Sequence, residues 1–310
     1  MLIEVVNLIL PIAIALALGV AGRSLGWFDQ SGINAFKNIV SNAMLPLVLF
    51  NAMLTAEYSL SSLVTVLSCF VGLCLALALG FLVGKAFPQY GKYMPMLMSS
   101  SKSGMLGYPL IGLLFGSLGM QSFAMADLPQ TVFFFVVIAS LLRIKDGLKP
   151  SASSLIKSIF SAPPFVGMLM GMMGGLLGLD ELLRPYALWE TYETVVEFIT
   201  GPTTVLILLF LGYSLSLRKD MLKPVAVTAL LRLAVMGAMG AGVSAFVFSL
   251  VPYDRTLLFS ILLLFFLPPS FAIPVFSKLE GSEEYVSTTI SFSTILTLLI
   301  FVVMAIVSLS

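Results

Sequence analysis

The chain has 310 residues, of which 59% are hydrophobic and only 10% charged, with a net charge of +1. Its mean hydropathy is +1.08, and apolar runs long enough to cross a bilayer recur from end to end, which excludes a soluble globular domain and leaves an all-α polytopic membrane protein. The basic residues are spread among loops, which excludes a nucleic-acid-binding face, and the lack of any histidine removes the commonest metal ligand and general base.

Ten spans are predicted, at 5–21, 34–53, 63–87, 93–115, 122–142, 156–179, 192–215, 225–251, 256–277 and 285–309. The first lacks the basic leader of a cleaved signal peptide and is read as a retained helix. The third carries Cys69 and Cys74, too far apart on one helix for a disulfide and therefore read as buried thiols. The fourth is interrupted at 100–109 by Ser-Ser-Lys-Ser-Gly-Met-Leu-Gly-Tyr-Pro, which places Lys102 near the depth where a bilayer is driest. The fifth holds Ala-Asp-Leu-Pro-Gln at 126–130, and the ninth is interrupted at 267–274 by Leu-Pro-Pro-Ser-Phe-Ala-Ile-Pro. Backbone cannot stay unpaired against lipid, so two broken helices at matching places in two halves point to a protein-lined polar site near the midplane.

Taking the connections alternately, one side receives Arg23, Lys37, Lys85, Lys92, Arg143, Lys145, Lys149, Lys157, Arg218, Lys219, Lys223 and Lys278, and the other only Arg184 and Arg255. The positive-inside rule makes the first side cytoplasmic and both termini extracytoplasmic, in the plasma membrane. A shift of 152 residues lays Pro11 on Pro163, Gly19 on Gly171, Gly22 on Gly174 and Leu25-Gly26 on Leu177-Gly178. Five spans per half invert the second copy, so the expected domains are a first repeat at 1–142, a basic linker at 143–157 and a second repeat at 158–310.

The order of Leu45-Pro-Leu-Val-Leu-Phe50, Gly104-Met-Leu-Gly-Tyr-Pro109, Pro269 with Pro274, Gly281-Ser-Glu-Glu-Tyr and Ser293-Thr294 resembles the auxin efflux carrier family of bacterial and plant transporters. The resemblance spans nearly the whole chain. It implies a scaffold of spans one, two, six and seven, and a mobile transport domain of spans three to five and eight to ten. In that arrangement helices four and nine cross at their breaks. It also implies a small organic anion as substrate, an elevator-type movement, no cofactor and no metal. Asn42, Pro46 and Asn51, with Thr203 in the Gly-Pro-Thr-Thr run at 201–204, would face the site from the scaffold.

The chain departs from the family where an asparagine is usual, seven residues before the crossover proline, and has Lys102 instead. An ammonium there costs a few kcal/mol unless paired or hydrated. It is either structural or the group that meets a substrate carboxylate, and Asp127 is the candidate partner in a charge pair or in coupling. Ser99, Ser100, Ser101 and Ser103 offer hydroxyls, and Gly104 and Gly107 allow close approach. The half-helix beyond Pro109 aims free amides at the break, with Pro268, Pro269, Ser270 and Pro274 serving likewise in span nine. Glu4, Glu197 and Arg232 are expected to reach solvated ends. Three alternatives stay open: a sodium-coupled symporter of the bile-acid type, disfavoured by the resident cation and by the absence of an acid at 267–274; a channel or sensor; and, without a nucleophile–base pair, an enzyme least of all. The expected partners are the anion, the bilayer and, as an option, a second copy.

Overall fold

The computed structural model describes residues 2–87, 91–147, 151–279 and 281–309. Lys149 and Ser310 lie outside the described residues. Every regular element among them is helical. Seven helical stretches are long and apolar enough to cross a membrane: Ile3–Ser24, Gln30–Leu54, Leu60–Ala86, Met94–Lys145, Ala187–Ser214, Lys219–Leu250 and Glu283–Leu309. Pro163–Leu176 and Arg255–Phe266 are apolar but shorter. The chain is thus a multi-pass membrane protein, and leucines, valines and phenylalanines such as Leu67, Leu82, Phe198 and Leu230 are exposed on its outer surface, where lipid would meet them.

Local chemistry sets the boundaries. Helix α1, Leu2–Ser24, is followed by Gly26 at φ +69°, and α2, Gln30–Ile39, starts at Asp29, whose carboxylate accepts the Gly32 amide at 2.6 Å. Pro46 has no amide to give, and the chain widens into a π turn at Val40–Met44 before α3, Leu45–Leu54. Helix α4, Leu60–Ala86, begins with a Ser59–Ser62 capping box. Next come α5, Met94–Ser99; a second π turn, Ser103–Gly107; α6, Tyr108–Phe133; a third π turn, Phe134–Ile138; and α7, Ala139–Lys145.

A straight helix over that 52-residue stretch would be about 78 Å long, more than twice the hydrocarbon thickness. It does not run straight. Gly116 has φ +59° and ψ −142°, a conformation tolerated by glycine alone, and beyond it the Phe123 ring packs on Tyr108 with centroids 5.0 Å apart. Fifteen residues along one helix would separate those two by about 22 Å, so α6 doubles back at Gly116.

After α8, Ala152–Phe160, come α9, Pro163–Leu176; α10, Leu179–Leu183; α11, Ala187–Thr200; and α12, Thr203–Ser214. Then follow α13, Leu222–Leu250; α14, Arg255–Phe266; α15, Ile273–Phe276; and α16, Glu283–Leu309. Backbones approach where glycine permits it. A Cβ on Gly19 would collide with Leu209 O, joining α1 to α12, and one on Gly171 with Phe50 O, joining α9 to α3. The broken pieces α5 and α14 lie inside, and all six residues of α5 are buried. They are flanked by α4 and α13 through Gly80 against Pro95 and Gly240 against Phe265.

Candidate functional site

The two interruptions meet. Helix α5 stops because the Ser99 and Ser100 hydroxyls donate to Pro95 O and Met96 O, at 2.8 and 2.7 Å, and the chain leaves Ser100 extended. Helix α14 stops because Leu267 precedes proline, which bars it from helical backbone. Between the two, Lys102 N donates to Pro268 O at 2.9 Å, and Ser270 N donates to the Ser100 hydroxyl at 3.3 Å. The second arm of α6 packs on the same crossing. Phe123 fills the space that a side chain at Gly107 would need, Asp127 lies beside the Ser103 and Tyr108 hydroxyls, and the Gln130 amide donates to Ser101 O at 3.3 Å.

Ending two helices in a dry interior leaves carbonyls without amide partners. Arg232 of α13 supplies them. Its guanidinium donates to Leu97 O of α5, to Leu267 O at the end of α14 at 2.6 Å and to the Ser101 hydroxyl at 3.4 Å, and the residue is 4% exposed. The Thr297 hydroxyl of α16 covers Phe266 O at 2.6 Å. The expectation that Arg232 reaches a solvated end is therefore corrected. Ten residues into α13 it stands about 15 Å along the helix, where its bonds to the broken helix ends satisfy the guanidinium without a stretch to water. Glu4 and Glu197 are exposed.

Lys102 is the contrasting cation. It is 5% exposed, and its ammonium has no hydrogen-bond partner among the described residues. It rests over the Phe271 ring, 3.0 Å from the centroid, and 5.5 Å from that of Phe210 on α12. The two rings meet edge-on at 6.4 Å, and Lys37 of α2 approaches Phe210 to 6.0 Å. Asp127, 1% exposed, faces Ser103 and Tyr108, so the anticipated ion pair between Lys102 and Asp127 is not formed.

The other expected site residues divide. Ser101, Ser103, Pro269 and Ser270 lie at the crossing with Lys102. Gly104 faces open space, whereas Gly107 is packed shut. Pro109, Asn51 and Thr203 line a separate cleft of about 260 Å³ between α3, α12 and the first arm of α6. Within it the Asn51 side-chain oxygen accepts from Tyr192 at 2.9 Å, and Gln121 donates to Thr55 at 2.9 Å. Asn42, in the first π turn, and Pro274, in α15, are exposed. Residues that the sequence did not single out are Thr297, Phe210, Phe271 and Tyr108. A phenylalanine within a proline-rich break was the available signal for Phe271.

No protein-family model matches the chain. It is 25% identical over 299 residues to an uncharacterized transporter of Methanothermobacter thermautotrophicus, and the match covers 94% of each chain.

Proposed function

We propose that the chain is a secondary transporter of small organic anions, related to the auxin efflux carriers, which binds a carboxylate at the crossing of α5–α6 with α14–α15. The observation that carries this reading is Lys102, an ammonium buried at that crossing, held over an aromatic ring and bonded to no acceptor among the described residues. Burying a cation without a partner is costly, and a substrate carboxylate is the group that relieves the cost. Similarity along nearly the whole chain to a protein named as a transporter agrees with it.

The proposal includes ten crossings in two inverted repeats. The doubling of α6 at Gly116 supports two crossings within the 52-residue stretch, and α9 and α14 with α15 would add two shorter ones. Gly26 and Gly178, 152 residues apart, both hold left-handed backbone at +69° and +66°, and Gly19 and Gly171, at the same spacing, both press on a neighbouring carbonyl. Under that repeat α1 corresponds to α9 and α12 to α3, so the pairs α1 with α12 and α9 with α3 are images of each other. These two pairs are the natural scaffold. The crossing, flanked by α4, α13 and α16, is the natural mobile body of an elevator. Both termini would be extracytoplasmic, from the loop charges. Sodium independence follows from two cations already resident at the crossing. The test is a thermal-shift screen of mono- and dicarboxylates on purified protein, followed by proteoliposome uptake of whichever stabilises it. Stabilisation by no carboxylate in any salt would sink the reading.

A further inference from the structure

We infer that Arg232 stands in a site built for a small monovalent cation, and that removing its guanidinium turns the crossing into a sodium-binding site. The inference rests on the identification of the crossing as the transport site only for its consequence, that the protein carries its own cation and takes none from solution. The geometry is that of an ion site. Oxygens from two segments distant in sequence, Leu97 O and Ser101 Oγ from one and Leu267 O from the other, converge on one positive group within a dry interior. Two of them are carbonyls at the C-terminal ends of α5 and α14, where the helix dipoles place negative charge. Hard oxygen ligands of this kind suit an alkali ion as well as a guanidinium.

A second, independent observation is the space beside Arg232. A cavity of about 20 Å³, room for one water-sized guest, is lined by Arg232, Leu267, Ser293 and Thr297. Ser293 is 5% exposed, and its hydroxyl has no partner among the described residues. Truncating Arg232 would join this space to the volume of the guanidinium, and the Ser293 hydroxyl would add a fourth oxygen. A sodium ion held there would bridge α5 to α14 as the arginine does. Lys102 cannot take over, because its ammonium points to Phe271 instead.

The experiment compares purified full-length wild type, Arg232→Ala and Arg232→Lys by thermal unfolding in sodium, lithium, choline and low-millimolar guanidinium chlorides. It needs no substrate, so its failure leaves the anion-transport reading standing, and failure of the carboxylate screen leaves this inference standing. Wild type should melt at the same temperature in sodium and in choline. Arg232→Ala should melt lower in choline and recover in sodium or guanidinium with a saturable dependence, the folding equilibrium shifting about a hundredfold at a hundred times the dissociation constant. Arg232→Lys should be intermediate and indifferent to sodium, since its own ammonium fills the site. An alanine variant equally stable in sodium and choline, with no gain from guanidinium, overturns the inference. If Arg232→Ala cannot be purified in any salt, Arg232→Gln is measured in its place. A sodium response supports the proposal, and indifference, or failure of both variants to fold in sodium, overturns it.

Discussion

Replacing Lys102 with methionine separates the two roles open to a buried ammonium, because they predict stability changes of opposite sign. Methionine keeps most of the stem and can still lie on Phe271, so packing changes little. If the lysine were one half of a buried ion pair, deleting it would leave an uncompensated charge and cost about 3–5 kcal/mol. No acceptor among the described residues bonds its ammonium, and the ring contact returns about 2 kcal/mol at best, less than desolvating a cation costs. The ligand-free variant should therefore melt at or above wild type. Binding should move the other way. A hydrogen bond between an ammonium and a carboxylate contributes about 1.5–3 kcal/mol, so affinity should fall about 10- to 150-fold. Both are read from one thermal-shift titration of a stabilising carboxylate, with uptake into proteoliposomes as the second measure. A folded variant that melts lower without ligand and keeps wild-type affinity and flux would refute the reasoning.

Other expectations follow from neighbouring features. Uptake should persist when sodium is replaced by potassium or choline, and a saturable, stoichiometric sodium requirement would count against two resident cations as the reason for independence. Reporters fused after the last helix and within the basic linker at 143–157 should fall on opposite sides of the membrane, and a cytoplasmic carboxyl terminus would break the ten-crossing count. Gly116→Ala should cost about 1–3 kcal/mol of stability by forcing a Cβ into backbone at φ +59°, whereas Gly104→Ala, where an added carbon meets nothing within 4 Å, should melt like wild type.

The two breaks were legible because their signals are local. Prolines at 268, 269 and 274 and the serine–glycine run at 100–107 break helices for reasons that act within a few residues, and the contact of Lys102 N with Pro268 O joins the two breaks that composition marks. The sequence divided spans four and five between 115 and 122, and there Gly116 supplies the backbone conformation that the reversal demands. What could not be read was anything that depends on where a long side chain points. Asp127 was matched to Lys102 by charge, but it belongs to a helix face with Phe123 and Gln130 that packs on Gly107, Ser103 and Ser101, so its carboxyl is turned to the hydroxyls of Ser103 and Tyr108. Asn51 and Thr203 were expected to face the site from the scaffold, and they line a cleft with Pro109.

Arg232 and Lys102 show why charge and depth alone do not assign a role. Both are basic, both are almost wholly buried, and both lie at the same pair of helix breaks. Hydropathy treats them as equal defects in an apolar span. Their bonding separates them: the planar guanidinium donates to three oxygens at once, on residues 35 to 135 positions away, whereas the ammonium of Lys102 has no acceptor among the described residues. The charge of the guanidinium is consumed in holding the broken helices together. The ammonium of Lys102 has been left on an aromatic surface, a weak partner that gives way to a carboxylate at little cost. A cation whose partners are fixed belongs to the frame, and one that keeps its bonding capacity in reserve belongs to the ligand. On that distinction Lys102, and not Arg232, is the residue whose neutral variant should alter which anion binds.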